Sequence, residues 1–202
     1  MSGRKSAENR KQEIISVVLK QADKVGPDRL SAAMIADEIG VSQPAIFRHF
    51  PGMKDLWLAV AAHIETVMKK KWEKALDPDK TPPEQLKSLV LTQLRFIQTV
   101  PAVPGILFSR ELHAGNKGLR QAFAGMMHVF HGRITQLIIE GQKDGYFNSK
   151  SSPEDAAFLI IGFIQGLAVR WSISGKSFNL TVEGERLLEI QIKILCEERN
   201  AS

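Results

Sequence analysis

The segment from Ser31 to Leu56, SAAMIADEIGVSQPAIFRHFPGMKDL, leaves this chain the fewest choices. Ala32, Ile35, Ala36 and Ile39 set apolar side chains on one face of a short helix. Gly40 supplies the backbone freedom that a sharp exit from that helix needs. Ser42 suits the N-cap of a second helix, and Pro44 falls in its first turn, where a missing N–H costs little. Ile46 and Phe50, one helical turn apart, face back onto the first helix. Small Ala36, Gly40 and branched Ile46 fit two tightly crossed helices. The pattern predicts a helix-turn-helix in which Gln43 to His49 enters a DNA major groove.

The recognition segment contains its own chemistry. Ser42, Gln43, Pro44 and Ala45 open it, and residues at that end reach base edges. Gln43 is the best base reader, because its amide can form two hydrogen bonds to adenine N6 and N7. The Pro44 ring and the Ala45 methyl can pack on thymine methyls. Arg48 suits a guanine or a phosphate. Ser31, at the start of the preceding helix, can present its hydroxyl and nearby N–H groups to a phosphate.

Residues 8–60 resemble the DNA-binding domain of the TetR family of bacterial transcription regulators. The resemblance is carried by Ser31, Ile35-Ala36, Gly40-Val41-Ser42, the run Ile46-Phe47-Arg48-His49-Phe50-Pro51 and Leu56. It implies a phosphate contact for His49. The chain departs from the family at two places. Phe47 stands where tyrosine is usual, so a phosphate-binding hydroxyl is missing, and Met53 stands where lysine is common. Lys54 lies next door as a substitute, about a quarter-turn away. Both departures predict fewer backbone contacts and a shallower salt dependence.

With 202 residues, the chain suits one compact unit or two small domains sharing a core. Its net charge of +5 is compatible with a polyanionic partner, and Arg4, Lys5, Arg10 and Lys11 crowd the N-terminus against the single acid Glu8. One cysteine, Cys196, excludes an internal disulfide and fits a reducing cytosol. The N-terminus is too polar for a secretory signal. The longest mostly apolar run, Ala156 to Val169, is short for a bilayer and carries Gln165. The expectation is a cytoplasmic protein with no membrane partner.

The rest of the chain reads as helices, with no strand alternation and no internal repeat. Residues 1–7 form a basic arm, and a first helix covers Glu8 to Lys24. A long helix runs from Met53 to about Leu76. Thr81-Pro82-Pro83-Glu84 reads as a capping box opening the next helix, which Pro101 and Pro104 stop. A short helix over Gly105–His113, a turn at Gly115–Gly118 and a helix from Leu119 to Lys143 follow. Ser152 caps a helix to Ser174, and Thr181 begins the last, which ends near Arg199. The fold class is all-α: an arm and helix-turn-helix domain over 1–52, then a helical bundle over 53–202 with 53–76 as connector.

The last two of these helices are apolar around most of their circumference, and one chain offers few partners for both. Pairing across a two-fold axis buries them, with Leu159, Gly162, Phe163, Gly166, Leu188, Ile192 and Leu195 as interface candidates. The family resemblance implies the same homodimer. Two recognition helices one DNA turn apart then read a palindromic operator.

Large apolar residues in the middle helices fit either a core or an adaptable pocket for a small, largely apolar effector. The pocket candidates are Phe96, Phe108, Phe123, Met126, Met127, Phe130 and Trp171, with Gln93, Arg110 and His131 to orient a ligand. His113 and His128 are further polar candidates. His128 and His131 are three apart, but no third metal ligand lies at motif spacing, so no metal site is assigned. No nucleophile–base set or phosphate loop is present at diagnostic spacing, so neither an enzyme nor a cofactor is expected. The resemblance favours release by an effector; repression by occupying a promoter is the default expectation, and an activator would have the same sequence features. The rival is a TetR-like structural or cell-division factor with protein partners and no effector.

Overall fold

A computed structural model describes residues 6–196. Those residues form ten α-helices and one 3-10 turn, with no strand among them. The helices are α1 (Ala7–Val25), α2 (Ala32–Ile39), α3 (Gln43–Phe47), α4 (Met53–Ala75) and α5 (Pro82–Thr99). After them come α6 (Ala102–Phe108), α7 (Arg110–Gly115), α8 (Lys117–Lys143), α9 (Pro153–Ile173) and α10 (Leu180–Cys196). Arg4 and Lys5 of the expected arm, and the expected end of the last helix near Arg199, lie outside the described residues.

Two compact units emerge. The first contains residues up to Thr66 together with Val100–Ala124, so α6 and α7 belong with the helix-turn-helix. Its core joins Ile14, Ile15 and Val18 of α1 to Ile35 of α2, Ile46 of α3 and Val60 of α4, all buried. α1 packs against α2 and α6. Glu38 of α2 accepts hydrogen bonds from Lys20 Nζ (2.6 Å) and Gln21 Nε2 (2.5 Å), which fasten it to α1. The Lys20 ammonium, above all by this hydrogen bond, holds the Glu38 carboxyl below its ordinary value.

One expected helix is two. Ser109 is buried and extended (φ −68°, ψ 110°), accepts from Leu112 N (3.0 Å), and donates to the Asp28 carboxylate. It therefore ends α6 and caps α7 in place of a continuous Gly105–His113 helix. Pro104 does not stop a helix but sits in the first turn of α6, where proline is tolerated. The expected turn at 115–118 shrinks to Asn116. Its side chain accepts from Leu119 N (3.0 Å) as the cap of α8, and donates to Lys54 O in the first turn of α4 (3.0 Å).

The second unit contains Val67–Thr99 and residues from Gly125 onward. α5, α9 and α10 pack on one another around Leu89, Val90, Ile160, Ile164, Leu167 and Leu188. Thr81 N–H donates to Glu84 Oε2 (2.9 Å), as the capping box predicts, and Ser152 accepts from Asp155 N (3.2 Å) to cap α9. The α10 cap is Asn179, whose side chain accepts from Val182 N (3.1 Å). Gly184 lets α10 approach α5 closely, since a Cβ there would lie 2.2 Å from Leu94 Cδ1. The Ala156–Val169 run sits within a 21-residue helix of mean hydropathy 1.7, long and apolar enough by composition to cross a membrane, though 44% of that stretch is buried inside the protein.

Candidate nucleic-acid interface

Local chemistry builds the α2–α3 corner. Ser31 is extended (φ −120°), and its hydroxyl oxygen accepts from Met34 N (3.3 Å), starting α2. Gly40 adopts the left-handed conformation (φ 77°, ψ 40°) that L-residues avoid. Its N–H and that of Val41 both donate to Ala36 O (2.9 and 3.0 Å), which closes α2 and turns the chain. Ser42 then begins α3 from the cap position, but its side chain makes no capping bond. α3 is shorter than the expected Gln43–His49 element: Arg48 and His49 lie in the turn beyond it. Their N–H groups still bond back to Pro44 O (3.2 Å) and Ile46 O (2.9 Å).

Burial divides this corner into two faces. Ile46 (1% exposed) and Phe50 (5%) point into the core. Ser31, Ser42, Gln43, Pro44, Arg48 and Lys54 are exposed, and Ala45, Phe47 and His49 are half-buried. All nine candidates thus retain solvent-accessible surface, with one amide, one guanidinium and one ammonium among them. Asn116 joins them indirectly by holding the Lys54 carbonyl. Sequence reasoning read it only as a turn residue, although an Asn three positions before an apolar Leu119 is an N-cap signal.

The pocket candidates divide between the two units. Phe108, Arg110 and Phe123 belong to the first unit and the other seven to the second. Phe108 (44%) and Met127 (39%) are exposed hydrophobics, and Arg110 is also exposed. Phe96, Phe123, Met126, Phe130 and Trp171 are buried. Three of the candidates already have polar partners. Gln93 Oε1 accepts from Trp72 Nε1 (3.1 Å), Trp171 Nε1 donates to Phe178 O (2.9 Å), and His131 Nε2 lies 3.2 Å from Glu154 O. Phe130 stacks on Trp72 (centroids 4.9 Å apart), and His131 rests against Phe158 (4.3 Å). Gln93 and Trp171 therefore act within the packing.

Among the interface candidates, Leu159 is 74% exposed, and Gly162 and Gly166 face open space with nothing within 4 Å of an added Cβ. Phe163, Ile192 and Leu195 are half-buried. Leu188 is a correction: it is fully buried in the chain's own core, because its face of α10 packs inward. The exposed surface instead includes Phe158 and Ile173 of α9 and Val182, Ile190 and Ile194 of α10.

Comparison with known proteins bears on both units. Residues 14–60 match the profile of the bacterial regulatory proteins of the tetR family, and residues 61–194 match that of the YsiA-like protein C-terminal region. The chain belongs to the TetR family. It is an all-α, DNA-binding regulator of that family. The nucleoid occlusion factor SlmA of Vibrio campbellii is 26% identical over 96% of this TetR-family chain and all of its own length. SlmA of Vibrio cholerae is 25% identical over the same shares. Solved structures share the fold. A regulator of Saccharomonospora viridis in complex with choline superposes with a TM-score of 0.82 at 20% identity, covering 95% of this chain and all of that one. FadR of Bacillus subtilis in complex with stearoyl-CoA gives 0.77 at 18% identity, covering 90% and 97%.

Proposed function

We propose that this TetR-family protein is a homodimeric transcriptional repressor that occupies a palindromic operator and is released by a small, largely apolar effector. The exposed edge from Ser42 to Arg48, backed by buried Ile46 and Phe50, carries the DNA-binding part of this reading. Gln43 reads adenine, Pro44 and Ala45 meet thymine methyls, and Ser31, His49 and Lys54 hold phosphates, while Arg48 takes a guanine or a phosphate. Phe47 packs without the hydroxyl that would add another phosphate contact. Residues 1–52, with Lys54 at the head of the connector helix, serve DNA recognition, and the rest of 53–202 serves pairing and effector response. The exposed α9–α10 surface with its open glycines supports pairing of two copies, since a lone chain would leave Leu159, Ile173 and Ile194 in water.

The effector is to be sought among ligands with an acyl or other apolar body. FadR of Bacillus subtilis, whose fold this chain shares, was solved with stearoyl-CoA. Within the second unit, Phe96, Met126 and Phe130 offer an apolar lining that such a body can displace or join. The protein acts in the cytoplasm, where its operator is.

A second reading is favoured by a specific observation. The curated relatives that match 96% of the chain at 25–26% identity are nucleoid occlusion factors. In that reading the same DNA-binding dimer occupies many chromosomal sites and answers to a protein partner. Chromatin immunoprecipitation with sequencing separates the two. Binding beside one or a few promoters, lost on addition of the effector, supports the repressor. Dozens of dispersed sites with no change in neighbouring transcripts overturn it in favour of the structural factor.

A further inference from the structure

The second unit carries a groove that DNA recognition and pairing leave unused. It has a volume of about 640 Å³ and lies between the last turns of α4 and one stripe of α5. Five cations line it, Lys71, Lys74, Lys80, Lys87 and Arg95, against the single carboxylate Glu84. Such an excess of one sign in a concave site repels itself and focuses a positive potential, which an anion relieves.

The carboxylates nearby do not neutralise it. Glu84 is drawn to the start of α5 by Thr81, whose N–H (2.9 Å) and hydroxyl (2.7 Å) both donate to it. Lys87 is the one cation firmly matched, bridging Glu185 (2.8 Å) and Glu189 (3.0 Å). Lys80 has only a distant partner in Asp77 (3.9 Å). Lys71 and Lys74 are exposed and form no ion pair among the described residues. Arg95, on the opposite wall, is exposed and sends part of its field to Glu185.

We infer that this groove binds a small polyphosphate, a ligand of nucleotide size held by its phosphates between Lys71 and Lys74 on one wall and Arg95 on the other. Donors line both walls: Lys71 and Lys74 on α4, and Ser88, Thr92 and Arg95 on α5. Phosphoryl oxygens point in several directions and accept from several sides, whereas a carboxylate accepts in one plane. The volume matches small-ligand sites rather than a duplex, whose backbone would meet a concave surface poorly. The groove lining includes no aromatic side chain, so a base would find no stacking partner and the phosphates dominate recognition.

Calorimetric titration of the intact protein with inorganic tripolyphosphate at low salt tests this, with poly-L-glutamate as the carboxylate probe. The expected result is saturable binding that weakens as salt screens it. Arg95→Ala and Lys74→Ala should each weaken it about tenfold, with Arg95→Lys in between because the guanidinium fork is lost but the charge kept. Lys193→Ala, on α10 away from the groove lining, should leave it unchanged, and thermal melts of all variants should overlay that of the parent. Loss of binding in Arg48→Ala but not in Arg95→Ala would put the anion on the DNA-binding corner and overturn the inference. So would absence of binding, an equal loss in Lys193→Ala, or poly-L-glutamate binding as tightly as tripolyphosphate.

Discussion

Two residues at the α2–α3 corner, Gly40 and Gln43, separate stability from recognition. Gly40 is at φ 77°, a conformation that costs an L-residue about 1–2 kcal/mol. Gly40→Val should therefore lower unfolding stability by about that amount, read from urea denaturation, and weaken DNA binding only through the folded fraction. Gln43 is exposed and holds nothing together, so Gln43→Ala should leave the denaturation midpoint in place. Its effect should appear in base preference, by about 1–3 kcal/mol at the contacted adenine. Asn116 is the reverse case: its side chain caps α8 and holds Lys54 O. Asn116→Ala should cost about 1–2 kcal/mol of stability, because it leaves a helix end without its cap.

Gly141 has a role that differs from that of Gly40. A Cβ on Gly141 of α8 would lie 2.2 Å from the ring of buried Phe147, and Tyr146 and Phe147 N–H groups both close onto Gly141 O. Gly141→Ala should destabilise the second unit by about 1–3 kcal/mol through overpacking, measurable by thermal unfolding. Nothing in the spacing around Gly141 announces this, because close approach to Phe147 is a tertiary fact. The capping signals were different. Thr81–Glu84, Ser152 and Gly40 act within one turn of chain, so their residues alone predict where α5 and α9 begin and where α2 ends. The break between α6 and α7 escaped because Ser109 is held by Asp28, far away in sequence. The inward face of the corner was legible from Ile46 and Phe50, one turn apart and both buried. The pocket candidates were not separable from core, since Phe130 on Trp72 and Met126 at helical spacing look the same in either role.

At the largest scale, charge ties helices within the second unit, and exposed apolar surface is where the proposed pairing is tested. Lys87 ties α5 to α10; the hydrogen bond it donates to Glu185, and next the one it donates to Glu189, raise its pKa above the ordinary 10.5. The same bond, donated by Lys87, lowers Glu185 below the ordinary 4.5. The Glu185 contribution is thus complete above pH 4.5 and lost as pH falls through its lower folded value. The Lys87 contribution is complete below pH 10.5 and lost as pH rises through its higher folded value. Lys87→Met should leave a stability deficit that is flat between those limits and shrinks outside both. Leu159→Asp, at a site 74% exposed in the single chain, should leave the monomer folded and shift the sedimentation coefficient from dimer to monomer. Operator affinity should fall with it, because one recognition helix reads too few bases.

Selection of bound fragments from a random duplex pool, with Gln43→Ala in parallel, tests sequence-specific reading by a dimer most directly. The expected result is an enriched palindrome with half-sites one helical turn apart, and an altered base preference in each half for Gln43→Ala. A pool that stays random at low salt, or one enriched identically by both proteins, would contradict the assignment of Gln43 and α3 as the element that reads DNA.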